Sequence, residues 1–338
     1  MITIKELAGI LNVSPTTISN VVNGHTEKMS EETRRKIENA MIQYNFRRSY
    51  RSNELGELKL ISVDFNLRFR KRIFMDPFCA ELLDAICVKL QEHGRYPVCG
   101  SLKDTEETYK KLQARNIEGG IVVGFKPWEC EAFSQKVGKP VVFVDCGVGH
   151  YDNVGIDDYE GGKKITEFMI KQGHRRIAFF CDRKIPVSST LERFQGYCDV
   201  LTKYGISYSN EDYLYLPDDK NLMRETLRDF AVRAKQQGYT AVFVVSDYLA
   251  NEAVRIFESV GLRVPDDISV AGFDDNLYAK LSRPMLTTIR QPVVEKGEQA
   301  VSLLMQRIYG EEVTVNSFRL PVELIVRDSV KNITLSHT

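Results

Sequence analysis

The spacing of apolar positions changes once along the chain. Up to about Tyr44 apolar residues recur at helical intervals in short segments; from Leu58 onward short apolar runs alternate with amphipathic stretches. The opening segment, TIKELAGILNVSPTTISNVVNGH, predicts two short helices joined by a tight turn. Thr3 followed three residues later by Glu6 is a capping box. Ser14 before Pro15 sets an N-cap ahead of a proline at the first helical position, where a missing N–H costs nothing. Leu7, Ala8, Leu11, Ile18, Val21 and Val22 give each helix one small apolar face. A third helix, Ser30 to Tyr44, places Ile37, Ala40, Met41 and Tyr44 on one side and closes a three-helix unit.

Beyond Leu58 strands are read at LKLISVDF, YPVCG, GGIVVG, PVVFVD, NVGID, RIAFFC, YLYLP, AVFVVS, ISVAGF and LTTIR. Helices fall between most of them, at Pro77 to His93, Glu106 to Arg115, Glu160 to Gln172, Leu191 to Tyr204, Met223 to Gln237, Leu249 to Val260 and Val293 to Tyr309. Such alternation makes parallel sheets with helices on both faces. The strands are too many for one open sheet, which favours two doubly wound subdomains facing each other. Ligands of such sheets sit beyond the carboxyl ends of the strands. Asp145, Asp157, Ser246, Asp247, Asp274 and Asp275 occupy those ends. Each alone reads as a helix N-cap; together they describe the lip of a cleft.

Composition narrows the function. The chain has 46 Lys and Arg against 46 Asp and Glu, a net charge of zero, yet Arg34, Arg35, Lys36, Arg47, Arg48 and Arg51 crowd the end of the three-helix unit. Local basic excess of this kind neutralises DNA phosphates. The second helix exposes Thr16, Thr17, Ser19, Asn20 and Asn23, short polar side chains that pair with base edges and phosphates as readily as with water. The unit thus reads as a helix-turn-helix whose second helix enters the major groove. Seven cysteines without a CxxC pair fit reduced thiols better than a disulfide frame or zinc site, and no cofactor or metal is implied. His174, just before a strand, reads as a satisfied loop residue. No run is long and apolar enough for a bilayer and no signal-peptide segment precedes the first helix, so the expectation is a cytoplasmic protein with no membrane partner. GxSxG, a P-loop and GxGxxG after a strand are all missing. A sugar-acting enzyme and a transport-type sugar-binding protein are the alternatives weighed against a DNA-reading binding protein.

Three motifs carry a resemblance: TIKELAGILNVSPTTISNVVNG at the start, ERFQGY at Glu192 to Tyr197, and GLRVPDDISVAGFDD with PMLTTIRQP from Gly261 to Pro292. In this order they resemble the lactose-repressor (LacI/GalR) family of transcriptional regulators along the whole chain. The resemblance implies an α/β protein: a helix-turn-helix headpiece over 1–47, a hinge over 48–57, and a periplasmic-binding-protein-like core of two doubly wound parallel-sheet subdomains over 58–338. The first subdomain would take about 58–157 and 290–318, the second about 158–289 and 319–330. It also implies operator DNA as partner, a homodimer on a pseudo-palindromic site, and a small sugar or sugar derivative bound between the subdomains to regulate genes of carbohydrate metabolism, most often as a repressor.

Carried over by position, the resemblance assigns DNA contacts to Thr3, Ser14, Pro15, Thr16, Thr17, Ser19, Asn20, Asn23, His25, Arg48, Arg51 and Leu55. Pro15, Thr16 and Asn20 take the places that touch bases. Effector contacts fall to Phe78, Cys79, Asp145, Arg193, Ser246, Asp247, Phe273 and Asp274, with Arg193 as the clamp on sugar hydroxyls. Departures stand out. In FRRSYRSNEL only Phe46 and Leu55 keep the family's hinge framework, which puts minor-groove wedging by Leu55 in doubt. DPFCAEL has Cys79 where an aromatic often stacks on ligand, the segment around Asp219 offers no aromatic platform, and Asp158 replaces an asparagine. Arg68, Arg70, Lys71, Arg72, Lys126, Arg183, Lys184 and Lys220 fall in loops expected at the cleft mouth. This points to an anionic effector such as a sugar acid or sugar phosphate, with simple solvation of those charges as the alternative. Leu83, Ile86, Cys87 and Leu90 are candidates for the dimer face or for packing on the sheet, and the lack of C-terminal leucine heptads predicts a dimer rather than a tetramer.

Overall fold

A computed structural model describes residues 2–22, 25–26, 29–44, 46, 58–65, 76–101, 105–310 and 314–334. The chain divides into two units, one up to Leu58 and one from Lys59 onward. The first holds three helices, α1 (Ile4–Leu11), α2 (Pro15–Val22) and α3 (Glu31–Gln43). Its core is small: Leu7, Ala8, Ile18, Ile37 and Ala40 are buried, and Leu11, Val13, Val21 and Met41 pack around them. The caps form as the sequence dictates. The Thr3 hydroxyl accepts from Glu6 N–H at 3.2 Å while the Glu6 carboxylate accepts from Thr3 N–H at 2.8 Å. Thr17 N–H donates to Ser14 Oγ at 3.0 Å. On α3, Arg34 pairs with Glu38 and Arg35 with Glu31 one turn away, so part of the expected basic excess is answered within the helix.

The second unit opens with β1 (Leu60–Phe65), α4 (Pro77–Glu92), β2 (Tyr96–Ser101), α5 (Thr105–Leu112), β3 (Ile117–Val123), α6 (Pro127–Val137), β4 (Val141–Val144) and β5 (Asn153–Ile156). There follow α7 (Asp158–Lys171), β6 (Ile177–Cys181), α8 (Ser188–Lys203), β7 (Tyr213–Tyr215), α9 (Lys220–Ala234), β8 (Ala241–Val244), α10 (Asp247–Ser259), β9 (Ser269–Ala271) and α11 (Leu277–Leu281). The chain ends with β10 (Thr288–Arg290), α12 (Val293–Ile308), β11 (Ser317–Leu320) and β12 (Glu323–Ile325). The first sheet runs β11-β5-β4-β3-β1-β2 and the second β7-β6-β8-β9, with every pair parallel. The central strands read as unbroken apolar runs, VVFV in β4 and AVFV in β8, because helices cover both faces.

Several elements differ from the sequence reading. Two helices not named among those read from the sequence also form, α6, which Pro127 starts at its first turn, and α11. LTTIR contributes β10, which joins neither main sheet but pairs antiparallel with β12, Ile289 opposite Leu324. The chain passes between the two subdomains at residues 156–158, at 290–293 and at 320–323, where β5 gives way to α7, β10 to α12 and β11 to β12. The last passage lies beyond Leu320, two residues past the expected boundary at 318, because Leu320 still pairs with Ile156. On α4, Ile86 and Leu90 are fully buried with Leu82 in the core, while Leu83, packed against it, and Cys87 are half-buried.

Helices α7 and α8 meet backbone to backbone. A Cβ on Gly162 would lie 2.2 Å from the Arg193 carbonyl oxygen, and one on Gly196 would lie 2.3 Å from that of Tyr159. No side chain larger than glycine fits either place without moving a helix. No helix among the described residues is long and apolar enough to cross a membrane.

Candidate functional site

The carboxyl ends of β1, β3, β4, β6, β8 and β9 surround a cavity of about 240 Å³ between the two sheets. Phe78, Cys79 and Asp145 reach it from the first subdomain; Arg193, Ser246 and Asp274 reach it from the second. The backbone is forced at these lips. Asp145 (φ 55°), Ser188 (φ 47°), Asp274 (φ 122°) and Asp275 (φ 58°) are four of the five non-glycine residues in the left-handed region among the described residues. Strained positions of this kind persist where surrounding contacts hold them, and they cluster at ligand clamps.

Arg193 lies on α8 and is almost fully buried. Its Nε donates to Asp158 Oδ1 at 2.7 Å, one terminal nitrogen donates to the Val245 carbonyl at 2.6 Å, and the guanidinium stacks 3.5 Å from the centroid of the Phe273 ring. A guanidinium has five N–H donors, so two such bonds leave others for the cavity. Burial raises the Asp158 carboxyl from its ordinary range while the Arg193 charge pulls it back. On the other side Lys296, on α12 and 0% exposed, donates to both Asp145 carboxylate oxygens at 2.8 Å and to Gln291 Oε1 at 2.7 Å, using all three ammonium hydrogens. Gln291 in turn donates from Nε2 to Asp274 Oδ1 at 2.6 Å, and Asn276 Nδ2 lies 3.4 Å from Asp274 Oδ2. One buried ammonium therefore links the carboxylates of the two lips through a single amide.

Two residues expected in the cleft are elsewhere. Asp247 is wholly buried, accepting from Thr288 Oγ1 at 2.7 Å and from Asn276 N–H at 3.1 Å. Burial, reinforced by the Asp274 charge, pushes its carboxyl well above the ordinary range. It ties β10 to the start of α11 and does not line the cavity. Phe273 is also fully buried, acting as the floor on which Arg193 rests rather than as a wall of the cavity.

Cys79 lines the cavity where an aromatic was missed, and Phe78, Phe125 and Tyr248 supply aromatic surface elsewhere on its wall. The expected excess of positive charge is not found among the described residues. Lys126, Arg183 and Arg193 face Asp76, Asp145, Asp182 and Asp274, and Arg193 is already paired. Lys220 begins α9 and Lys184 lies 5.6 Å from the Tyr215 ring; neither lines the cavity. Arg68, Arg70, Lys71 and Arg72 lie outside the described residues. Lys296, Gln291 and Asn276 were missed by sequence reasoning. A lysine in the apolar stripe of an amphipathic helix, as in VVEKGEQAV, was the available signal for the first of them.

In the first unit Pro15 and Thr16 are exposed on α2, with Thr17, Ser19 and Asn20 partly so, and His25 is exposed beyond the helix. Thr16 and Asn20, four residues apart, share one face. Thr3, Ser14 and Thr17 spend their side chains on caps: Ser14 Oγ and Thr17 Oγ1 are 2.8 Å apart. Asn23, Arg48, Arg51 and Leu55, with the whole expected hinge over 48–57, lie outside the described residues. His174 is satisfied in the loop before β6 as expected, though it is buried rather than at the surface, bonded to Thr240 Oγ1 at 3.0 Å and to the Lys331 carbonyl at 3.1 Å.

Comparison with known proteins gives two family matches, "Bacterial regulatory proteins, lacI family" over residues 3–49 and "Periplasmic binding protein-like domain" over residues 166–330. The HTH-type transcriptional regulator CelR of Thermobifida fusca is 26% identical, covering 97% of this chain and 98% of its own. The HTH-type transcriptional repressor PurR of Vibrio vulnificus is 28% identical, covering 98% and 100%. Among solved structures, that of a transcriptional regulator CelR in complex with cellobiose superimposes with a TM-score of 0.72 at 26% identity, covering 97% of this chain and all of that one.

Proposed function

The chain belongs to the LacI family of bacterial regulatory proteins and is a DNA-binding transcriptional regulator rather than an enzyme; from that premise we propose that it is a cytoplasmic homodimeric repressor of carbohydrate-metabolism genes whose operator affinity is set by a neutral sugar held between the core subdomains. The observation that carries this reading is the pair of lip carboxylates, Asp145 and Asp274, fixed by one donor network opposite the free N–H groups of Arg193. Preplaced acceptors and donors around apolar walls suit vicinal hydroxyls. Because Arg193 has its counter-charge in Asp158, an anionic effector has less to gain here than the loop charges alone suggest.

A homodimer follows from the headpiece, since one recognition helix covers a half-site and two-fold operators are read by two-fold proteins. Base contacts are proposed for Pro15, Thr16 and Asn20. Asparagine pairs in bidentate fashion with adenine N6 and N7, so an A·T pair is expected opposite Asn20, and Asn20→Arg shifts preference toward G by about 1–3 kcal/mol. The functional test is electrophoretic mobility shift with the protein's own promoter DNA across a panel of sugars. A shift that a neutral sugar weakens or strengthens supports the reading; a shift indifferent to every sugar, or answering only to acids or phosphates, overturns the effector assignment.

A further inference from the structure

We infer that the effector cleft continues outward into a second subsite, a platform for another sugar ring, built on Trp128; this rests on the sugar reading above and extends it. Trp128 is the only tryptophan in the chain and is 60% exposed. It is the second residue of α6, and the Pro127 beside it fixes where that helix begins. Lys126, immediately before, lines the cavity, and its ammonium stands 5.0 Å from the centroid of the Trp128 ring. Cavity and indole are thus joined by one side chain. The start of α6 also lies where the subdomains meet: a Cβ on Gly147 would be 3.1 Å from Pro127 Cγ and 4.0 Å from Ser188 Oγ, and Ser188 is a lining residue of the second subdomain.

The cavity itself is small. At about 240 Å³ it falls below the roughly 300–1,000 Å³ common for pockets that enclose a drug-sized ligand, so a molecule of two rings has to extend beyond it. Past Lys126 it meets an exposed indole. The face of that ring carries negative charge, which attracts an ammonium and equally the electropositive C–H face of a sugar ring, while the Lys126 N–H groups suit hydroxyls between the two rings. The occupant this arrangement fits is an oligosaccharide with one ring inside and the next on Trp128.

A single tryptophan makes the test direct. The full-length protein and its Trp128→Ala and Trp128→Phe variants are titrated with matched probes, glucose against cellobiose and maltose, galactose against lactose, with binding followed by calorimetry and by thermal shift and, in the wild type, by tryptophan emission. The expected result is that a two-ring sugar shifts the emission and its one-ring counterpart does not. Trp128→Ala then lowers the preference for two rings over one by roughly tenfold, and Trp128→Phe recovers most of it. A two-ring sugar that binds without moving the emission and with unchanged affinity in Trp128→Ala overturns the subsite while leaving the sugar reading intact. If no sugar shifts the melting of the wild type, the sugar reading fails and the subsite with it. Dissociation of the Trp128→Ala dimer in sedimentation would make the indole an assembly surface and overturn the proposal.

Discussion

Arg193 and Lys296 are both buried cations, Arg193 paired with the buried Asp158 and Lys296 with Asp145 at the lip of the cavity, but they do different work. Arg193 holds Asp158 with its Nε and the Val245 carbonyl with a terminal nitrogen, and it keeps donors in hand for a ligand. Lys296 is saturated by Asp145 and Gln291, so what faces the cavity on its side is the carboxylate it has positioned. The difference lies in donor count and shape: a planar fork can serve two masters, a compact ammonium cannot. One cation is a candidate ligand contact, the other a positioning group.

The largest expected effect comes from removing the fork. Arg193→Ala leaves the Asp158 carboxylate buried without its counter-charge and is expected to destabilise the sugar-free protein by about 3–5 kcal/mol, read by urea denaturation. A cost below 1 kcal/mol would mean that Asp158 is already neutral and that the contrast with Lys296 has no electrostatic basis.

His174 extends the comparison to a buried base held by a hydroxyl and a backbone carbonyl, and burial holds it near pKa 4 against an ordinary 6.5. The unfolded chain therefore takes up a proton first as pH falls. Stability from this group is full above about pH 6.5 and is lost between 6.5 and 4, by about 3 kcal/mol in all. Denaturation midpoints measured across that window should flatten in His174→Asn relative to wild type. An identical slope in the variant would assign the acid sensitivity to other groups.

How much of this was legible beforehand depends on whether a residue's role is local. Caps at Thr3 and Ser14, the helical spacing of the headpiece and the apolar runs of β4 and β8 are set by neighbours in the chain, and they were read correctly. Arg193 was found through the ERFQGY motif. The inward turn of Asp247 to Thr288 was not legible, because an acid at a strand end looks the same whether it faces the cleft or the core. Lys296 was missed because its partner, Asp145, is 151 residues away, and no periodicity encodes that distance. The antiparallel pairing of β10 with β12 escaped for the same reason.

A subtler asymmetry sharpens the contrast at the Lys296 pair. The Asp145 side chain is 18% exposed to the cavity, whereas Lys296 has no route to water. Asp145→Ala strands a buried ammonium and is expected to cost about 3 kcal/mol; Lys296→Met leaves a carboxylate that water can reach and is expected to cost about 1 kcal/mol. Thermal melts of the two variants decide it, and the reverse order would show that Asp145, not Lys296, is the trapped charge. The smallest effect belongs to the pair joining β11 to α8, where Arg319 meets Glu192 in bidentate fashion at 2.8 and 3.1 Å with both side chains partly in solvent. Arg319→Ala should change stability by no more than about 1 kcal/mol, and a loss several times that in denaturation would place this exposed pair alongside the buried ones.

The contact of α7 with α8 at Gly162 and Gly196 also decides how the molecule can move. Two helices seated backbone on backbone have no side-chain layer to shear, so α8, with Arg193 and Glu192 on it, travels with its whole subdomain as a rigid lever. A ligand pulling on Arg193 cannot be accommodated by one helix creeping along the other. The displacement has to appear as rotation at the three places where the chain passes between subdomains, and a small tug at the fulcrum becomes a larger swing at the far end of the arm.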